Sequence, residues 1–252
     1  MKQLAVMVKL EFLKLRGTYF LLTGVVTAIG SIVLGLYLAA ADRTTNYTFL
    51  IFTENVIINN MSLFFPFTAV LTVGQMMEQE RTCSTLNNLF AIPIRFQELL
   101  SAKIATGAVM AVLYAILQWI LSASACMLLG LPGITVPFAF LRFANMIGIN
   151  LCIYIAVLPV IALTAQYAGG YMAGAGFSVF YGFCSVFATG RGFTAIYPIS
   201  AGTVLFRLHG TPAFGECISA VLSLAVVLIL AVVFIAASQD RAEGMQPAPG
   251  KK

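Results

Sequence analysis

The chain has 252 residues, 60% of them hydrophobic and only 9% charged, with a mean hydropathy of +0.97. Soluble domains carry about 25% charged residues, so a water-soluble core is excluded and lipid is the expected solvent for most of the chain. The formal charge of +5 forms no basic stripe interleaved with aromatics, which excludes nucleic acid as an expected partner.

At the N-terminus, Leu4, Val8, Phe12 and Leu15 share one helical face, with Lys2, Lys9 and Arg16 in a stripe beside it. This pattern predicts an interfacial helix over residues 1–17, its bases toward anionic headgroups. A plain positive-inside flank is the alternative. The apolar run that follows has about 20 residues, longer than the core of a signal peptide.

Six apolar runs are long enough to span a bilayer as helices: 19–41, 56–77, 104–130, 143–166, 171–189 and 217–237. None alternates with period two, as barrel strands would. The expected fold is an all-α membrane protein with six transmembrane helices in a single domain. Gly24, Ala28, Ser31 and Gly35 run down the first span, and Gly170 and Gly174 open the fifth as a GxxxG. These small residues are expected to pack against a second copy of the chain. Asn59, Asn60, Gln118, Asn145, Asn150 and Gln166 are neutral polar residues within the spans. Hydrogen bonding between helices is their first reading. Asn59 and Asn60 have a second one, as the lining of a translocation path.

Residues 190–214 are half apolar and broken by Pro198, Gly202, Gly210 and Pro212. Too short to cross, they predict a re-entrant or interfacial segment sheltered by protein. Residues 238–252 form a polar tail.

Lys and Arg set the orientation. With an even number of spans, ten fall on the side of both termini and four on the other: Arg43, Arg142, Arg191 and Arg207. Both termini are therefore expected in the cytoplasm, together with the connection Tyr167-Ala168-Gly169-Gly170.

The chemistry of an enzyme is not visible. The single histidine, His209, sits in the outer segment and reads as a solvated or capping loop residue. The five cysteines (Cys83, Cys126, Cys152, Cys184 and Cys217) are scattered singly and suggest neither a disulfide frame nor a metal site. No Walker motif occurs, and no Asp, Glu, Lys or Arg lies near mid-span, where proton-coupled carriers need one. The chain carries no energy source of its own.

One stretch departs from this plainness. Residues 78–103, EQERTCSTLNNLFAIPIRFQELLSAK, hold six charged residues: Glu78, Glu80, Arg81, Arg95, Glu98 and Lys103. Ser84-Thr85 offers an N-cap, after which Leu86, Leu89 and Phe90 share one face opposite Asn87 and Asn88. Pro93 stops that helix, and Lys103 marks the return to the membrane. The spacing predicts a rigid amphipathic knob between the second and third spans.

In layout, and in Glu80, Thr85, Leu86, Pro93, Arg95 and Lys103, the chain resembles the permease subunit of type-2 ABC exporters. It is most similar to the small stand-alone permeases of bacitracin and lantibiotic resistance. Ser84 stands where the family often has glycine. The resemblance implies a bacterial plasma-membrane protein with six spans. Its coupling helix, within residues 78–100, sits in a cleft of a separate ATPase subunit. Glu78, Glu80, Arg81, Thr85, Leu86, Leu89, Phe90, Pro93 and Arg95 would form that contact. ATP and Mg would be used by the ATPase, with no cofactor on this chain. It implies also a second permease copy or a paralogous permease, and a substrate that is an amphiphilic antimicrobial peptide or lipid-like compound. Permeases for another drug, lipid or polysaccharide remain open as alternatives. So does a non-transporting scaffold or sensor that docks a cytosolic protein.

Overall fold

The computed structural model describes residues 20–41, 47–82 and 96–238. The expected interfacial helix, the tail beyond 238 and the knob over 83–95 lie outside the described residues. Among the described residues the chain is helical, without strands. In order these helices are α1 (Phe20–Ala41), α2 (Phe49–Asn59), a π-helical turn (Asn60–Phe64), α3 (Phe65–Thr82), α4 (Phe96–Leu128), α5 (Val136–Thr164), α6 (Gly170–Gly190), α7 (Pro198–Leu205) and α8 (Phe214–Ala237). With α2, the π turn and α3 joined as one, six helices are long and apolar enough to cross a membrane.

Three spans are longer than the apolar runs suggest. The second begins at Phe49 rather than Val56, the third at Phe96 rather than Ile104, and the fourth at Val136 rather than Phe143. Hydropathy ends a run at its first charge, yet Glu54, Lys103 and Arg142 continue these helices because each is ion-paired. The second span also widens in its middle. Pro66 has no amide to give to the Ser62 carbonyl, and the backbone passes through a π turn in which the Phe65 amide donates to Asn60 O. The Ser62 carbonyl faces Gly182 of α6, where an added methyl would lie 2.5 Å from it.

α5 lies at the centre, packed on α3, α4, α6, α7 and α8. α1, α6 and α8 form the outside. On α1 the exposed residues Leu22, Val26, Ile29 and Val33 recur at helical spacing, the signature of a lipid-facing stripe. On α6, Phe180, Phe183 and Phe187 are exposed, and on α8 Val221, Leu222, Ile229 and Val232.

The small residues face the other way. Gly24 meets the Tyr114 ring of α4, and Gly35 meets Val56 and Phe52 of α2. Ala28 and Ser31 are buried, and Ser31 Oγ accepts from Gln118 Nε2 at 3.2 Å. Gly170 and Gly174 lie against Thr164. The six positions expected between two copies are thus occupied within one. Without a hydrophobic drive between helices in lipid, such close approach is what holds a bundle together.

The segment 191–213 contains α7, packed between α5 and α8. Ser223, nine residues inside α8, donates to Ile196 O at 2.7 Å. At about 1.5 Å per residue, the chain dips roughly 13 Å below the start of α8. Gly148 admits the Phe206 ring, and Gly202 admits Cys152.

Gly182→Ala is expected to cost about 1–3 kcal/mol of stability through overpacking against Ser62 O. Gly176, with no neighbour within 4 Å, is the control; its change to Ala should be neutral or slightly stabilising. Thermal unfolding in mild detergent reads both.

Candidate functional site

The end of the bundle where α3 stops and α4 begins collects ionic and amide contacts from five helices. Glu80 of α3 accepts from Lys103 Nζ of α4 at 3.2 Å, and their side chains are 5% and 1% exposed. Neither therefore presents its charge at the surface, as a residue docking directly on a partner would. Their contact joins α3 to α4 in a setting where an unpaired charge is costly.

The turn before Glu80 and the residue after it point elsewhere. Arg81 Nη1 donates to Tyr167 O at 2.6 Å and Nη2 to Ala165 O at 2.5 Å. Both carbonyls lie just past the last turn of α5. Arg81 also pairs with Glu78 Oε2 at 3.3 Å, and the same oxygen accepts from Gly169 N at 3.1 Å. Gly169 is the N-cap of α6, at φ +68°, a backbone that glycine adopts without strain. Glycine has no side chain with which to cap the helix, and the Glu78 carboxylate satisfies the amide of Gly169 itself.

Two glutamines complete this end. Gln97 Nε2 donates to Ile235 O and Ala236 O at 3.3 and 3.0 Å. Gln166 Nε2 donates to Phe234 O at 3.2 Å and to Ala162 O at 3.0 Å. The last carbonyls of α8 are capped from α4 and from the end of α5, and Ile235 O also accepts from Ser238.

A second charged cluster lies at the opposite end. Arg142, in the second turn of α5, donates to Glu54 Oε2 at 3.3 Å and to Leu50 O at 3.2 Å. His209 Nδ1 lies 2.8 Å from Glu54 Oε1. The histidine is therefore not a merely solvated loop residue: it ties the α7–α8 connection to α2. Its pKa is raised above the ordinary 6.5 by the hydrogen bond to Glu54, against desolvation and with the Glu54 charge in support.

Asn59 and Asn60 are buried between helices. Asn60 Nδ2 donates to Asn150 Oδ1 at 3.0 Å, whereas Asn59 Nδ2 and Ser185 Oγ find no partner among the described residues. Gly74 lies against Tyr171 and Gly182 against Ser62, an antiparallel register that places Ser185 level with Asn59. Of the expected coupling residues, Glu78, Glu80 and Arg81 are brought together here. Thr85, Leu86, Leu89, Phe90, Pro93 and Arg95 lie outside the described residues. Sequence reasoning missed the Glu54–Arg142–His209 cluster; opposite charges flanking the same expected face were the available signal.

A family model described as ABC-2 family transporter protein matches residues 7–185. Comparison with curated proteins found no match.

Glu80→Gln removes the carboxylate charge that faces the buried Lys103 ammonium and is expected to destabilise the protein by at least about 1 kcal/mol. Glu80→Met with Lys103→Met should recover most of that loss, as read by thermal unfolding in detergent. His209 predicts a pH effect. Its raised pKa gives stability that is fully present below about 6.5 and is lost as pH rises through the folded value. Unfolding temperature should fall as pH rises above about 6.5, and His209→Gln should flatten that dependence.

Proposed function

The chain belongs to the ABC-2 family of transporter proteins, and from that premise we propose that it is the permease subunit of an ATP-driven exporter. The energy comes from a separate ATPase, which uses ATP and Mg and docks on residues 83–95 at the α3–α4 end. The observation that carries this reading is the build of that end. α3, α4, α5, α6 and α8 are bound to one another by Glu78, Glu80, Arg81, Gln97, Lys103 and Gln166. A push delivered to the 83–95 segment reaches a block of five helices rather than one loop.

In this reading both termini and the docking segment face the cytoplasm of a bacterial plasma membrane, in accord with the ten-to-four division of Lys and Arg. Thr85, Leu86, Leu89, Phe90, Pro93 and Arg95 make the ATPase contact, while Glu78, Glu80 and Arg81 act behind it. A second copy or a paralogous permease completes the transporter. The cargo is an amphiphilic antimicrobial peptide, bacitracin or a lantibiotic among them, or a lipid-like compound. Asn59 and Asn60 belong to its path: the unpartnered Asn59 amide supports this, since a buried donor without an acceptor costs about 1–3 kcal/mol.

Co-expression of the chain with its cognate ATPase should lower sensitivity to peptide antibiotics. Replacing residues 83–95 by a Gly/Ser linker of equal length should abolish both protection and co-purification of the ATPase. Protection that persists without any ATPase would overturn the reading, and an ATPase that still co-purifies would move the docking site elsewhere.

A further inference from the structure

The turn between α5 and α6 has no polar side chain of its own from Tyr167 to Gly170 except the Tyr167 hydroxyl. Its two helix ends are nevertheless capped. Carbonyls at the end of α5 carry partial negative charge and receive the Arg81 guanidinium; the amide at the start of α6 carries partial positive charge and receives the Glu78 carboxylate. The two side chains stand three residues apart on α3 and are held to each other at 3.3 Å. Each therefore arrives oriented by its neighbour. One helical turn of α3 thus grips both poles of a connection that lies more than 80 residues further along the chain.

We propose that Glu78 and Arg81 are positioning residues that make the α5–α6 turn move as one piece with the end of α3. The inference rests on the proposed docking of an ATPase at 83–95, which adjoins this turn of α3. α4 follows that segment by covalent continuity. α5 and α6 reach it through the side chains of Glu78 and Arg81. Displacing α3 alone would break two charge-assisted bonds to carbonyls and one to an amide, while the ion pair within α3 would travel with it. Such bonds are the strong ones, and carrying the turn along keeps all of them. Tyr171, at the first turn of α6, lies against Gly74 of α3, so packing above the clamp resists shear in the same direction. The ATPase thereby moves α6 without touching it.

Spin labels test this on the full chain in lipid nanodiscs. One pair, Gln79→Cys with Ala168→Cys, spans the clamp; a second, Ala168→Cys with Leu128→Cys, spans the bundle. Cys83, Cys184 and Cys217 are changed to Ser to keep the labelling specific. The first pair should give one narrow distance with and without the cognate ATPase, while the second shifts when ATPase and a non-hydrolysable ATP analogue are added. Arg81→Ala should broaden the first distribution at least about twofold and remove the shift of the second. Arg81→Lys, which keeps the charge but not the two-pronged geometry, should give an intermediate width. If Arg81→Ala does not yield monodisperse protein, Glu78→Ala decides the matter, since it frees the Gly169 amide and leaves Arg81 on its carbonyls. An unchanged narrow first distance in the variants overturns the inference, as does a second pair that shifts as far in them as in the unmutated chain. If the ATPase fails to bind the unmutated chain, the docking reading falls, while the first pair still shows whether the clamp holds the turn to α3.

Discussion

Water is absent from the middle of a bilayer, so each polar atom placed there must be answered by another part of the protein. Burial extends the same constraint to the ends of the spans, where Glu80 and Lys103 are two charges whose side chains are 5% and 1% exposed. Each charge meets the other across the two helices at 3.2 Å. The same requirement explains why the carbonyls of α8 receive glutamines from α4 and α5, and why Glu54 is met by Arg142 and His209. Much of the specificity of this bundle resides in such pairings at its two ends, because apolar faces alone do not distinguish a neighbouring helix from lipid.

The two ends differ in how they join the intervening length. At one, α2, α5 and the α7–α8 connection meet at Glu54; at the other, α3, α4, α5, α6 and α8 meet around Arg81, Lys103 and the glutamines. Between them the second span passes through its π turn, where Pro66 has removed one backbone bond and Asn59 Nδ2 finds no partner among the described residues. Such turns interrupt the regular ladder and occur often at functional positions. The helix is firmly held at its ends and least regular in its centre.

Six helices and their order were legible in the sequence, because runs of some 20 apolar residues have few other physical solutions. The ends of those helices were not. Glu54, Arg142 and Lys103 each look like a boundary when read alone and become interior once paired, and pairing is a long-range fact that hydropathy does not encode. Small-residue faces were legible as sites of close approach, but their neighbours were not: Gly24 suits a ring from α4 as well as a second copy. At the candidate site, the cluster of charge at 78–103 was visible, whereas the α5–α6 turn that Arg81 holds gave no signal. Backbone carbonyls leave no mark on a sequence.

The spacing of these charges along the chain also bears on biosynthesis. Glu80 and Lys103 lie 23 residues apart, on consecutive spans, so they leave the ribosome as one hairpin and can neutralise each other before either is released into lipid. Among the described residues Glu54 has no such companion nearby. Its partners are 88 and 155 residues downstream, on α5 and beyond α7. Until those arrive, the second span holds an uncompensated carboxylate near one end. The bundle can close at that end only after the last third of the protein has been made, which places the sealing of the Glu54 end among the final steps of assembly.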